Sequence, residues 1–210
     1  MALFSKRGFL AGMGGLSLAG LGMPGAAFGQ VVKSVTESRW HGVVRQDFDI
    51  SCGASALCTI LNYQHGERLS ERDVALGLID REEYLANPDL IRLREGFSLL
   101  DLKRFVDQRG YEGVGYGQLT YDFLLSLAPA IVPIEPNGYR HFVVFRGEFG
   151  GSVLMADPAY GNRSMSRARF ERTWIEFPEL GHVGFVVNRT DGLIPPNRLS
   201  PGPADFLVIR

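Results

Sequence analysis

The sequence predicts an α+β fold in which an N-terminal helical part packs on a C-terminal antiparallel sheet. Apolar residues with helical spacing are concentrated in the first half of the chain, most clearly over residues 99–106. The second half carries short apolar runs between glycine and proline residues, as at 141–145 and 152–156. The chain has 210 residues, of which 45% are hydrophobic, so one domain with a sizeable core is expected.

Capping residues mark where the predicted helices begin. The first helix runs from Cys52 to His65 and is closed by Gly66. The Ser70–Asp73 segment forms a capping box for a second helix, and Ser98 opens the clearest helix of the chain. The second helix is predicted to end near Asp80 and the third at Gly110, with an irregular segment over residues 81–96. Two short helices are predicted at 120–127 and 166–174.

The predicted sheet is assembled from short apolar segments. Its strands cover residues 111–117, 130–134, 141–145, 152–156 and 183–188, with a short extended segment at 42–45 before the first helix. The glycine-rich segment 147–151 joins two of these strands and predicts an antiparallel hairpin.

The ends of the chain are predicted to lie outside the folded domain. Residues 1–29 have a basic start, a glycine-rich apolar centre and small residues at a cleavage site, which are typical of a signal peptide. This segment resembles a twin-arginine signal with Lys6 in place of the first arginine and predicts export, with a periplasmic location. A membrane anchor is the alternative, but the apolar run is shorter than the roughly 20 residues that a membrane span needs. Residues 30–41 are predicted as an N-terminal arm, 42–189 as the domain and 190–210 as a Pro- and Gly-rich tail.

Cys52 carries the strongest indication of chemistry. It follows the polar segment 46–51 and begins an apolar helical pattern, so its thiol is expected at a helix N-terminus, where a thiolate is favoured. The second cysteine, Cys58, lies six residues further on and faces elsewhere on the same helix, so a disulfide between them is not expected. Cys58 is predicted to be a core residue, which leaves Cys52 as a free thiol.

The hairpin predicts a partner pair for that thiol. His141 and Asp157 each lie eight residues from Phe149, the centre of the predicted turn, so they are expected to face each other at the open end of the hairpin. Asp157 would orient the imidazole, and His141 would take the thiol proton of Cys52.

Nearby residues complete the predicted site. The Gln46 amide and the backbone N–H of Cys52 are candidate donors to an oxyanion, and Gly53 would let a substrate backbone approach the thiol. Gly138 and Tyr139, just before His141, are further candidates for substrate binding. Three other groups are interpreted as surface or loop residues: His65 at a helix end, His41 with His182, and the basic run Arg163, Arg167, Arg169 and Arg172. For the basic run, contact with an acidic substrate is the alternative.

The sequence predicts no cofactor and no metal site, because no group of His, Cys and carboxylate residues has ligand spacing. The formal net charge of −1 gives no general attraction to nucleic acid, and no stable membrane insertion is expected after signal removal.

Three separated segments together resemble peptidase family C39, a group of papain-like cysteine peptidases. These segments are Gln46 to Gly53, His141 to Val144 and Ala156 to Gly161, and the resemblance extends from about Val43 to Val187. Residues 97–105 also resemble exported, stand-alone members, among them the peptidase encoded with the Fap functional-amyloid secretion system. The resemblance implies a papain-like fold with Cys52 as nucleophile, His141 as base, Asp157 as orienting group and Gln46 as oxyanion donor.

The predicted function is therefore an exported cysteine endopeptidase that cuts a peptide bond in a secreted or periplasmic partner, with an amyloid-type protein as one candidate. The best-known members of the family are domains of exporters and cut after two glycines, whereas this chain has an export signal, so that preference is only an analogy. Two alternatives stay open at this point: a non-catalytic C39-like module that binds peptides in a secretion system, and a thiol-dependent acyl transferase.

Overall fold

The computed structural model of the protein describes residues 34–87, 89, 91, 96–202 and 205. They belong to one structural unit that runs from Lys33 to Arg210. The predicted signal peptide, residues 1–29, lies outside the described residues. Within the described part of the chain, no helix combines the length and the apolar character needed to cross a membrane.

A six-stranded antiparallel sheet forms the centre of the fold. The sequence predicts the antiparallel sheet and five of its strands. Its strands in chain order are β1 (Tyr111–Tyr116), β2 (Ala130–Ile134), β3 (His141–Phe149), β4 (Ser152–Asp157), β5 (Gly161–Ser166) and β8 (Gly184–Arg189). Their spatial order is β1-β8-β2-β3-β4-β5, and a separate pair joins β6 (Glu176–Phe177) to β7 (Gly181–His182).

Helices cover both faces of the sheet. They are α1 (Val35–Trp40), α2 (Cys52–Thr59), α3 (Glu71–Ile79), α4 (Glu82–Ala86), α5 (Leu99–Gln108), α6 (Tyr121–Leu127) and α7 (Arg167–Thr173). One core joins α2, α3 and α5 to inward residues such as Val144 and Ala156. The other joins α6 and α7 to Val143, Phe145 and Met155, as expected where successive strand residues face opposite sides.

Helix α2 carries the predicted nucleophile at its first residue and is buried along its whole length. Small residues such as Gly53, Ala54 and Ala56 allow it to lie close to neighbouring elements. The predicted extension to His65 is present as a wider π-helical turn over Ile60–Gln64. Because the helix is enclosed in the core, the position of Cys52 is fixed by packing.

The β3–β4 hairpin differs in detail from the predicted one. Its connection is the two-residue turn Gly150-Gly151, whose positive φ angles of 58° and 76° suit a tight hairpin. A bulge between Phe145 and Gly147 then shifts the register, so that Val144 pairs with Ala156. The prediction that His141 lies directly opposite Asp157 is wrong, because this register places the two residues diagonally.

Three segments have more structure than predicted. The predicted N-terminal arm contains α1, which Ser34 and Glu37 cap reciprocally. Strand β5 was not predicted at all, since its sequence is polar. In the predicted tail, Leu199 is fully buried, and its carbonyl accepts a hydrogen bond from Arg146 Nε at 2.8 Å.

Candidate active site

The thiol of Cys52 lies beside the first residues of β3. The backbone N–H of Phe142 donates to Cys52 Sγ at 3.5 Å, so the sulfur sits next to the strand residue that follows His141. Cys52 is only 4% exposed. The fold thus brings the start of α2 to the end of the sheet that carries His141.

The imidazole of His141 and the carboxylate of Asp157 are hydrogen-bonded. Nε2 of His141 lies 3.1 Å from Oδ2 of Asp157, and both side chains are fully buried. Because a carboxylate accepts, this bond places the proton of a neutral imidazole on Nε2 and leaves Nδ1 as a proton acceptor. Nδ1 is buried and has no hydrogen-bond partner among the described residues. It is therefore the nitrogen free to exchange a proton with a thiol.

Asp157 accepts hydrogen bonds from three groups in addition to His141. Its Oδ1 accepts from the backbone N–H groups of Ala159 at 2.9 Å and Tyr160 at 3.2 Å, and its Oδ2 accepts from Arg163 Nη1 at 3.1 Å. Burial opposes ionisation, but the hydrogen bonds from His141, Ala159 and Arg163 together lower the pKa of Asp157. The carboxylate consequently stays charged beside the imidazole.

Arg163 is a residue of this site that the sequence reasoning missed. It was interpreted as part of a solvated basic run, whereas it lies on β5 and forms an ion pair with Asp157. Only a prediction of β5 could have found it, because Arg163 comes six residues after Asp157 and reaches it across the β4–β5 turn.

The protonation state of Cys52 differs from the expected one. Burial raises the pKa of the thiol and outweighs the backbone N–H groups of Phe142 and Gly53, which act in the opposite direction. The backbone N–H groups at the helix N-terminus favour the thiolate as expected, but burial has the larger effect on the pKa. A thiol in this environment needs a nearby base to become a nucleophile.

Gln46 lies between the loop that precedes Cys52 and the turn that follows Asp157. Its backbone N–H donates to the carbonyl of Pro158 at 3.0 Å, next to Asp157. Its side-chain Nε2 donates to the carbonyl of Phe48 at 3.1 Å, while Oε1 is buried with no partner among the described residues. The backbone of Gln46 therefore lies next to the turn after Asp157, and its side-chain nitrogen gives one of its two N–H donors to its own loop.

A buried carboxylate fixes the loop before Cys52. Glu71, the first residue of α3, accepts from the backbone N–H of Asp47 at 3.1 and 3.0 Å and from Ser55 Oγ at 3.0 Å. The hydroxyl of Ser51 donates to it as well. The sequence reasoning treated this residue only as part of a capping box, because a charged residue in the first turn of a helix is usually exposed.

The predicted substrate-binding residues occupy different surroundings. Tyr139 stacks on His141 with ring centroids 5.0 Å apart, and its hydroxyl donates to the carbonyl of Asp49 at 3.4 Å. Gly138 lies in the preceding turn with a φ of 79° and open space where a Cβ would be. Gly53 is buried, with its Cβ position 3.5 Å from the Phe142 ring. A substrate role for these residues stays a prediction.

Two open grooves flank the buried pair His141 and Asp157. An apolar groove of about 1000 Å³ lies on the Cys52 side and is lined by residues 47–51, Arg72, Ala75, Leu76, Ile79, Ile91 and Phe97. A polar groove of about 540 Å³ lies on the His141 side and is lined by Arg39, Pro136, Asn137, Tyr139, Tyr160, Asn162 and Arg163. Tyr139 spans from the polar groove toward Asp49 of the apolar one.

Two other ionisable residues of the predicted first helix, His65 and Cys58, are buried, and within the described part of the chain they make no hydrogen bond to Cys52, His141 or Asp157. His65, predicted at the surface, is buried, and its Nε2 lies 3.0 Å from the carbonyl of Val187 on β8. Cys58 is fully buried in the core as predicted, with burial raising its pKa to about 12. No three His, Cys, Asp or Glu side chains of the described residues are grouped as metal ligands.

Comparison with known proteins gives consistent matches. The model of the Peptidase C39 family matches residues 41–177. The chain is 37% identical over 160 residues to a probable functional amyloid protease, FapD, of Pseudomonas aeruginosa, covering 74% of this chain and 69% of that protein. It is 38% identical over 163 residues to the FapD of Pseudomonas fluorescens, covering 76% of this chain and 70% of that protein.

Solved structures with the same fold are more distant in sequence. A double glycine motif protease from an AMS/PCAT transporter, solved with a leader peptide, has a TM-score of 0.56 at 21% identity and covers 70% of this chain and 91% of its own. The peptidase domain of Streptococcus ComA has a TM-score of 0.51 at 17% identity and covers 70% and 98%. The predicted papain-like α+β fold is confirmed.

Proposed function

The chain belongs to the peptidase C39 family and is a cysteine-type peptidase that acts on a peptide or protein, and we propose that Cys52, His141 and Asp157 carry out the cleavage. The observation that carries this proposal is the 3.1 Å contact between His141 Nε2 and Asp157, which leaves Nδ1 as the basic nitrogen. The 3.5 Å contact of Phe142 N–H with Cys52 Sγ supports it, because it holds the sulfur at the same strand end.

The first half of the reaction forms an acyl-enzyme. His141 Nδ1 takes the Sγ proton of Cys52 as the sulfur attacks the carbonyl carbon of the scissile peptide bond. The C–N bond then breaks, and His141 returns that proton to the leaving amine. Burial raises the pKa of the Cys52 thiol, so the attack depends on His141 as the proton acceptor.

The second half releases the product. A water molecule gives a proton to His141 and attacks the thioester carbon, the C–S bond breaks, and the proton returns to Sγ. Asp157, whose pKa is lowered, stabilises the imidazolium that forms in both halves.

Gln46 and the backbone N–H of Cys52 are proposed as the donors to the oxyanion. The Gln46 side-chain nitrogen has two N–H donors and gives one of them to the Phe48 carbonyl, so the other is the candidate donor to the oxyanion. The backbone N–H of Gln46 is bonded to Pro158, which fixes the position of the residue.

The substrate is proposed to be an exported partner, with a functional-amyloid protein as the first candidate. The predicted signal peptide and the names of the two Pseudomonas relatives support this proposal. Residues on the acyl side of the scissile bond would lie along the apolar groove, because that groove adjoins the loop from which Gln46 and Cys52 donate.

The test is cleavage of the exported proteins encoded beside this chain. We expect new termini by mass spectrometry with the wild-type protein and with Cys58→Ala, and none with Cys52→Ala. Absence of any Cys52-dependent cut, together with no labelling of Cys52 by a thiol-directed electrophile, would contradict the proposal. Binding of a partner without cleavage by the wild type would instead favour a peptide-binding module.

A further inference from the structure

We propose that the polar groove beside His141 is a subsite for an acidic side chain of the substrate, located C-terminal to the scissile bond and read by Arg39 and Arg163. This inference rests on the proposed catalytic role of Cys52 and His141. It concerns a part of the chain that the family match does not include, since Arg39 precedes residue 41.

Two arginine side chains from different elements line this groove. Arg39 comes from α1, is exposed, and has no carboxylate within ion-pair distance among the described residues. Arg163 comes from β5 and has a side chain that is 28% exposed. Its guanidinium donates from Nη1 to Asp157 and lies over the Tyr160 ring, 5.2 Å from the ring centroid, which leaves most of its five N–H donors for another acceptor.

The position of Arg39 is built into the fold. Gly161 has a φ of 80°, and a Cβ there would lie 2.5 Å from both Cγ and the carbonyl oxygen of Arg39, so α1 lies directly on the start of β5. The buried Asn162 then donates from Nδ2 to the carbonyls of Ser38 at 3.2 Å and His41 at 2.7 Å. Backbone on both sides of Arg39 is thus fixed before any ligand binds, which reduces the entropic cost of binding.

The nearby acidic groups offset part of the charge of Arg163 but leave Arg39 without an ion-pair partner among the described residues. Asp157 is fully buried and already accepts from His141, Arg163 and two backbone N–H groups. Glu135 is paired with Arg140 at 2.6 Å. A carboxylate that enters the groove therefore meets two arginines, and planar guanidinium groups are the side chains best suited to carboxylates.

The chemistry of the site fixes the side of the substrate that this groove contacts. His141 must protonate the leaving amine, so the chain that follows the scissile bond departs past the imidazole. Tyr139 stacks on that imidazole and Arg163 binds its Asp157 partner, and both residues line the groove. The acidic residue is accordingly expected within about three positions after the cut, since an extended chain advances about 3.3 Å per residue.

The test is a profile of cleavage sites in a proteome-derived peptide library. With the wild type, we expect Asp and Glu to be enriched at least about threefold at one of the first three positions after the cut, as one exposed ion pair of up to ~1 kcal/mol allows. Arg39→Gln should lose most of this enrichment, and Arg39→Glu should replace it with a preference for Lys and Arg. The matched control is Arg169→Gln, which removes one exposed positive charge on α7 and should keep the wild-type profile.

Cleavage without acidic enrichment, or enrichment that persists in Arg39→Gln, overturns the subsite while leaving the peptidase intact. If nothing in the library is cut, the subsite is decided by binding. Cys52→Ala is titrated with the tripeptides Ala-Asp-Ala amide and Ala-Asn-Ala amide, and the arginine side-chain NMR signals are followed. We expect shifts of those signals with the aspartate peptide only, and equal shifts or none with both peptides reject the inference.

Discussion

Two buried carboxylates on opposite sides of the site show how the protein uses the same group for different purposes. On the nucleophile side, Glu71 receives only neutral donors from the described residues, namely the Asp47 backbone and the hydroxyls of Ser51 and Ser55. On the base side, Asp157 is bonded to the ionisable His141 and Arg163.

The difference assigns a structural role to one carboxylate and an electrostatic role to the other. Glu71 joins α3 to the loop before Cys52, so it fixes where the nucleophile and its Gln46 neighbour lie. Asp157 fixes the proton on Nε2 of His141 and stabilises a positive imidazole. Loss of Glu71 should therefore reduce mainly stability, whereas loss of Asp157 should reduce mainly the rate.

The largest effect is expected for Asp157→Ala. Without the carboxylate, nothing holds the imidazole in the tautomer with a basic Nδ1, so kcat should fall between about 10² and 10⁴-fold. Asp157→Asn keeps an oxygen acceptor for Nε2–H and should lose less. Rates on a cleaved partner, together with melting curves, check this, and a folded Asp157→Ala variant within tenfold of wild type would refute the electrostatic role.

Glu71→Ala should act on the other side of the comparison. It leaves the Asp47 backbone N–H and the Ser55 hydroxyl without this acceptor, whereas the Ser51 hydroxyl still has the Phe48 carbonyl at 2.7 Å. We expect the free energy of unfolding to fall by about 2–3 kcal/mol. Glu71→Gln, with one oxygen, should lose less. Denaturant unfolding measures the loss, and Asp73→Ala in the same helical turn is the control, with an expected cost of about 1 kcal/mol for a lost cap.

The assignment of roles would fail if loss of Glu71 reduced the rate rather than the stability. A stable Glu71→Ala protein with a greatly reduced kcat at saturating substrate would give Glu71 an electrostatic role. In that case the network around Ser51 and Ser55 would have to be coupled to the reaction itself.

Tyr139 connects the two sides and should control access to the thiol. Its ring covers the imidazole and its hydroxyl reaches the Asp49 carbonyl of the opposite loop. We expect iodoacetamide to modify Cys52 about three- to tenfold faster in Tyr139→Ala. Without the ring, local opening of the structure around the thiol should cost less free energy, by up to ~1.4 kcal/mol. Tyr139→Phe keeps the stacking and should change less, with buried Cys58 as the internal control. An unchanged rate in Tyr139→Ala would show that the ring does not limit access.

The smallest expected effect is a decrease in stability at acidic pH that is caused by His65. Burial lowers the pKa of His65, at the end of the helix that begins with Cys52, below its ordinary value of 6.5. As pH falls below 6.5, the unfolded chain binds this proton before the native protein does, so stability should decrease. The loss should be absent in His65→Gln. Melting temperatures at pH 7.5 and 5.5 measure it, with His41→Gln as the exposed control, and an equal acid response in His65→Gln would contradict it.

Asp157 should not contribute to that acid response. Its pKa is lowered, so its stabilising contribution is present above the unfolded value of 3.8 and is lost only as pH falls further, through the native pKa.

Local patterns predicted much of the fold correctly. The helix over Leu99–Gln108 was predicted because its cap, Ser98 with Asp101, and its apolar face agree with each other. Helix α1 was missed although Ser34 and Glu37 have the same capping spacing, because no apolar stripe follows them. Strand β5 was missed because its polar residues owe their strand conformation to pairing with β4, which is a tertiary effect.

The contact between two of the candidate site residues was predicted, but the geometry that produces it was not. The contact between His141 and Asp157 is present, although the symmetric hairpin that predicted it is not, because long side chains also reach diagonal neighbours. Arg163 and Glu71 could not be predicted, since a charged residue is usually exposed and only the tertiary fold buries these contacts.

The dependence of Cys52 reactivity on His141 tests the central claim most directly. Iodoacetamide alkylation of Cys52 is followed by mass spectrometry between pH 5 and 9 in wild type and His141→Ala, with the fold checked by circular dichroism. The account predicts that the wild type reacts at least about tenfold faster near pH 7, because the imidazole takes a proton that burial otherwise retains on sulfur. Equal rates across this range would contradict the assignment of His141 as the base.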